Sequence, residues 1–94
     1  MQPDRTLAYY LNTALYRLDH GELASEMEVE RAYRRLAGDL ISRLTQSVLL
    51  SGGTLYLRVA SAALRHELFK RRESLRRHIN QEVGSETVRN IVIR

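Results

Sequence analysis

Ninety-four residues, 44% hydrophobic and 28% charged, describe a soluble globular chain with enough apolar material for one core and too little length for two. Fifteen Lys+Arg against eleven Asp+Glu give a net charge of +4, and cysteine is absent, which excludes disulfides and thiolate metal sites and fits a reducing cytoplasm. No apolar run approaches the roughly 18 residues of a membrane span, and the opening Met1-Gln2-Pro3-Asp4-Arg5 lacks a signal-peptide core, so a cytoplasmic location with no membrane contact is expected.

The elements follow in order along a single domain, residues 1–94, with a helical part at 1–44 and a hairpin-helix-strand part at 45–94. Leu7, Tyr10, Leu11, Ala14, Leu15 and Leu18 share one stripe of a first helix over roughly Asp4 to Leu18, which Asp19-His20-Gly21 ends. Tyr9 and Tyr16 lie one heptad apart off that stripe, marking a partner groove, a dimer seam or packing against the hairpin. Ser25-Glu26-Met27-Glu28 is a capping-box pattern opening a second helix. That helix buries Val29, Ala32, Tyr33, Leu36 and Ala37 and stops at Gly38. A further helical turn over Asp39 to Leu44 carries Leu40, Ile41 and Leu44 inward.

From Thr45 the hydrophobic period changes. Thr45–Leu50, the turn Ser51-Gly52-Gly53 and Thr54–Val59 form a hairpin signal. In its second strand Leu55, Leu57 and Val59 share one face, Tyr56 and Arg58 the other. Ser61 caps one long basic helix with the inner stripe Leu64, Leu68, Leu75, Ile79 and Val83, ended by Gly84. Val88–Ile93 then supplies a third strand. A helix between the second and third strands is long enough for a right-handed crossover, so these two strands are expected to run parallel. The expected fold is α+β, α-α-β-β-α-β, a three-stranded sheet packed against helices.

The order and spacing of several motifs resemble one family. They are Tyr33-x-x-Leu36-Ala37-Gly38, Gly53-x-Leu55-x-Leu57-x-Val59, Ser61-x-x-Leu64-x-x-Glu67-Leu68, Leu75-x-x-x-Ile79-Asn80 and the closing Val88-x-x-Ile91-x-Ile93-Arg94. Together they are similar to the DciA-type proteins, over nearly the whole chain and most strongly from Gly38 to Arg94. The resemblance implies a KH-like fold and a role in helping the bacterial replicative helicase load onto DNA, with that helicase as partner. Two features depart from it. Family members often carry a C-terminal extension, whereas this sequence reads to Arg94. The helix-Gly-x-x-Gly-helix loop with which KH domains clamp nucleic-acid backbone is absent, since Gly52-Gly53 belongs to a hairpin.

Charge locates the candidate site. Residues 1–50 hold six basic and seven acidic side chains (6 − 7 = −1), and residues 51–94 hold nine and four (9 − 4 = +5). Six cations lie between Arg65 and Arg77 against two acids, a basic helix suited to a polyanion. On a continuous helix Arg65, Arg72 and Arg76 fall within a sector of about 40°, with Phe69 beside it. Arginine forks hold phosphates, and an exposed aromatic stacks on a base. Lys70 and Arg77 form a second row, Arg71 and His78 a third, and Arg58 on the sheet extends the patch. The plainer readings are a solvated face paired through Glu67–Arg71 and Glu73–Arg77, and Phe69 as a core-edge residue. Arg31, Arg34 and Arg35, among Glu26, Glu28 and Glu30, read as a solvated face.

Catalysis finds little support. His66-Glu67 opens a zinc-protease pattern, but Lys70 stands where its second histidine is required. Three isolated histidines form no ligand set, Asp19, His20 and Glu22 crowd a glycine turn, and no phosphate loop or nucleophile elbow appears. The expectation is a non-catalytic domain without metal or cofactor. It binds single-stranded or forked DNA, or RNA, through Arg58, Arg65, Phe69, Lys70, Arg72, Arg76 and Arg77, mostly electrostatically. The rival is a protein adaptor whose basic helix meets an acidic partner without touching nucleic acid.

Overall fold

Ser25 opens the first helix by a reciprocal cap: its hydroxyl accepts from the Glu28 amide at 3.2 Å, and the Glu28 carboxylate accepts from the Ser25 amide at 2.8 Å. The computed structural model describes residues 22–94, so the expected helix over Asp4 to Leu18, with Tyr9 and Tyr16, lies outside the described residues. Helix α1 (Glu26–Ala37) buries Val29, Ala32 and Tyr33. Gly38, at φ +87°, ends it and leads into α2 (Asp39–Leu44). Leu36 and Leu40, expected inward, are instead 40% and 64% exposed. The positive φ at Gly38 re-aims the chain after α1, so Leu40 does not continue the apolar stripe; Leu36 lies on the outer edge of α1 itself.

Thr45 carries the change from helix to strand. Its hydroxyl donates to the Ile41 carbonyl at 2.7 Å and accepts from the fully buried Tyr33 hydroxyl at 2.8 Å. Strand β1 (Thr45–Ser51) then pairs antiparallel with β2 (Thr54–Val59) across Gly52-Gly53, whose φ values of +57° and +83° are those a two-residue hairpin turn needs. A bulge between Thr45 and Ser47 corrects the register. β2 is central, with β1 on one side and β3 (Asn90–Ile93) parallel to it on the other. The described residues are thus α+β, helix-helix-strand-strand-helix-helix-strand.

The long basic helix is two helices, α3 (Ala62–Lys70) and α4 (Arg72–Val83), broken at Arg71 with φ −104° and ψ 10°. Two constraints account for the break. A straight helix over residues 62–83 would be about 33 Å long, whereas the six residues of β2, alongside which β3 must start, span only about 20 Å. The inner stripe also drifts: on a straight helix Leu64 and Val83 would sit about 100° apart. Bending at Arg71 lets Leu68 on α3 and Ile79 and Val83 on α4 reach one core with Leu55, Leu57, Val59, Val29 and Tyr33.

The third strand begins two residues later than expected. The buried Asn80 amide accepts from the Val88 N–H at 2.9 Å and donates to the Val88 carbonyl at 2.8 Å, in the manner of a neighbouring strand. With both its backbone groups engaged, Val88 has none for the sheet, and pairing starts at Asn90 opposite Thr54. Replacing Asn80 with Leu leaves the Val88 N–H buried and unsatisfied and its carbonyl with only the longer bond from Arg76 at 3.3 Å. Asn80→Leu is expected to lower the unfolding free energy by about 2–4 kcal/mol, read from urea denaturation; a midpoint equal to wild type would show that the clamp is dispensable.

Candidate nucleic-acid interface

The helix break reorganises the basic segment. Phe69, Lys70, Arg71 and Arg72 now surround a bend rather than occupying separate rows of one cylinder. Phe69 is 52% exposed, not a core-edge residue. The Arg72 guanidinium lies 3.9 Å from the Phe69 ring centroid and donates to the Phe69 carbonyl at 2.8 Å. That places a cation on both the ring face and the negative end of the α3 dipole. Lys70 pairs with Glu67 at 3.0 Å, and Arg71 reaches the same carboxylate at 3.7 Å while remaining 76% exposed. Two consecutive cations therefore share one carboxylate, and the third, Arg72, is held by Phe69. Arg71, expected in a third row with His78, is the junction residue itself.

Arg65 and Arg76 do not join this group. The 40° sector that united Arg65, Arg72 and Arg76 required an unbroken helix, and the bend at Arg71 removes that premise. Arg65 turns inward and donates to the Val59 carbonyl at 2.7 Å, at the end of β2. Arg76 has a side chain only 19% exposed, bonded to Glu73 at 2.7 Å, to Glu86 at 3.5 Å and to the Val88 carbonyl at 3.3 Å. It ties α4 to the approach to β3. Arg77 is 59% exposed and 4.0 Å from Glu73. Arg58 does not extend the helical patch either. Strand alternation turns it away from Leu57 and Val59, which face the helices, and onto the other side of the sheet.

On α1, Arg34 pairs with Glu30 at 3.0 Å and donates to the Ser42 carbonyl at 2.9 Å, while Arg35 pairs with Glu82 of α4. These arginines hold helices together as well as facing solvent. Arg89, just before β3, folds over the hairpin turn and donates to the Gly52 carbonyl at 2.7 Å.

Hydrogen bonding and charge from Lys70 hold the Glu67 carboxyl below the usual carboxylate range, and the bond from Arg76 does the same for Glu73. Both groups are lowered on folding. Their pairs therefore add stability above the unfolded carboxylate range, and that contribution is lost as pH falls through the lowered values. Among the described residues, no cluster of three or more His, Asp or Glu side chains could hold a metal ion, and no helix is long and apolar enough to cross a membrane.

Two comparisons bear on identity. Residues 10–93 match the family described as "Dna[CI] antecedent, DciA". No curated protein sequence matches the chain.

Two neighbouring arginines separate structural from solvated roles. Arg76→Ala is expected to cost about 1–2 kcal/mol, through the Val88 bond and the packed stem, while Arg77→Ala costs under about 0.5 kcal/mol. Equal effects in thermal melts would contradict this division. Glu73→Gln is expected to shrink the fall in melting temperature between neutral pH and the acid range, because a permanently neutral side chain has no proton to take up. An unchanged acid limb would show that the pair contributes nothing.

Proposed function

The chain belongs to the DciA family, associated with loading of the replicative helicase in bacteria, and on that premise we propose that it is a non-catalytic domain that contacts DNA through the bend between α3 and α4. The observation that carries this reading is the exposed run Phe69-Lys70-Arg71-Arg72, with three cations, one carboxylate and an aromatic ring at a single helix junction. Arginine and lysine here meet phosphate oxygens, and the Phe69 ring, already carrying the Arg72 guanidinium, offers a flat surface beside them. At its N-terminus α4 has no side-chain cap, so its first amides also favour an anion.

A KH-like fold supports the same place. KH domains clamp nucleic-acid backbone at a Gly-x-x-Gly loop between two helices. In this chain the paired helices between β2 and β3 are joined by Arg71 alone, without glycine. Close backbone approach is replaced by side-chain charge, which grips phosphate without reading bases. Binding is then sequence-tolerant and strongly salt-dependent, as suits a protein that meets whatever DNA the helicase is being loaded on.

The test is fluorescence anisotropy of labelled single-stranded and forked DNA, with matching RNA, across a salt series. A Lys70→Ala/Arg71→Ala/Arg72→Ala variant is expected to lose affinity and to shrink the log–log salt slope by about 2, at roughly 0.7 per phosphate contact on a single strand. Absence of binding at low salt would sink the DNA reading and leave the bend as a docking surface for the helicase.

A further inference from the structure

The sheet has two unlike faces. Leu55, Leu57 and Val59, with Val48, Leu50, Ile91 and Ile93, turn toward the core and the helices. The pairing register sets Leu49 beside Tyr56 and Tyr56 beside Val92, so the opposite face carries an apolar row across all three strands with an aromatic ring at its centre. Leu49 is 50% exposed. Arg58 is exposed on this face and makes no hydrogen bond or ion pair. The Arg94 guanidinium lies 5.1 Å from the Tyr56 ring centroid. Among the described residues no aspartate or glutamate side chain belongs to this face: its other positions are Ser47, Ser51, Thr54 and Asn90.

This distinguishes it from the helical layer, where Glu67, Glu73 and Glu86 offset much of the charge. Here two arginines flank a ring with no opposing carboxylate. Tyr56 is half-buried, with part of its ring surface open to solvent; an aromatic so placed in the middle of a sheet is how several folds stack an unpaired base, with arginines beside it on the adjoining phosphates. Duplex DNA hides its base faces and has no use for such a ring. An acidic protein surface would satisfy the arginines but not the flat apolar row between them. We infer that the open sheet face is a second binding surface, for single-stranded DNA, on which a base stacks on Tyr56 while Arg58 and Arg94 hold the flanking phosphates. This rests on the DNA reading above and adds to it a surface separate from the bend.

The chain contains no tryptophan, so Tyr56→Trp installs a single reporter at the centre of the face. Titration with a labelled thymidine oligonucleotide of about 16 nucleotides, near the upper site size of small single-strand binders, gives binding by anisotropy and stacking by tryptophan quenching in one sample. Quenching in step with binding is expected, and heparin, a polyanion without bases, should bind without quenching. Tyr56→Leu, which keeps an apolar strand residue, should raise Kd by about 5–30-fold at unchanged salt slope. Arg58→Ala should lower that slope by about 0.7. Urea midpoints near wild type for all three variants establish that folding is intact. Binding without quenching, with Tyr56→Leu indistinguishable from wild type, overturns the sheet surface and leaves the bend standing. Equal quenching by duplex of the same sequence also overturns it. Loss of helicase binding but not of DNA binding in Tyr56→Leu would make the face a protein-docking surface instead. No DNA binding by the wild-type protein at low salt would remove both readings together.

Discussion

The parallel pairing of β3 with β2 is the constraint on which the rest of the architecture depends. A hairpin cannot deliver a parallel strand, so the chain must leave the end of β2, travel back along the sheet and start again beside Thr54. The connecting segment is longer as a helix than the strands it runs beside, and it bends at Arg71. The bend brings two apolar stripes onto one core, and on its outer side it gathers Phe69, Lys70, Arg71 and Arg72. A topological requirement thereby becomes a local concentration of charge.

Once that path is set, polar groups along it become structural ties. Asn80 stands in for a strand against Val88 and decides where β3 begins. Arg65 and Arg76 reach main-chain carbonyls at Val59 and Val88, near the two ends of the crossover. Arginine suits such positions because its stem packs while its fork satisfies carbonyls that no backbone donor reaches. The same residue type therefore serves two purposes within twelve positions, half-buried tie and exposed cation, and only the direction of each side chain separates them.

The division of charge bears on helicase loading. A protein that assists a helicase onto DNA must hold the strand weakly enough to yield it, and contacts through solvated cations meet that requirement because their strength is largely counterion release. On the proposed DNA reading, the exposed pairs of Lys70 and Arg71 with Glu67 would temper the bend further, since phosphate would compete with a carboxylate already in place. The sheet face proposed as a second surface differs in kind: there Tyr56 would offer a single strand a ring to stack on rather than charge alone.

Most of the fold was legible in the sequence because local rules dominate there. The capping box at Ser25, the Gly52-Gly53 turn, the alternation of Leu55, Leu57 and Val59, and a crossover long enough for parallel strands each follow from residue types at fixed spacing. The family resemblance, carried by motifs spread along the chain, likewise belongs to the sequence. What lay beyond it were the consequences of length and register. No glycine or proline marks Arg71 as a break, because the break comes from fitting a helix to a shorter sheet and not from a residue that cannot be helical. The grouping of Arg65, Arg72 and Arg76 failed for that reason, and Leu40 turned outward because Gly38 re-aims the chain ahead of it. Sequence alone determined which residues are charged, apolar or turn-forming; tertiary structure decided which cations point at carbonyls and which at solvent, because that depends on where packing bends the chain.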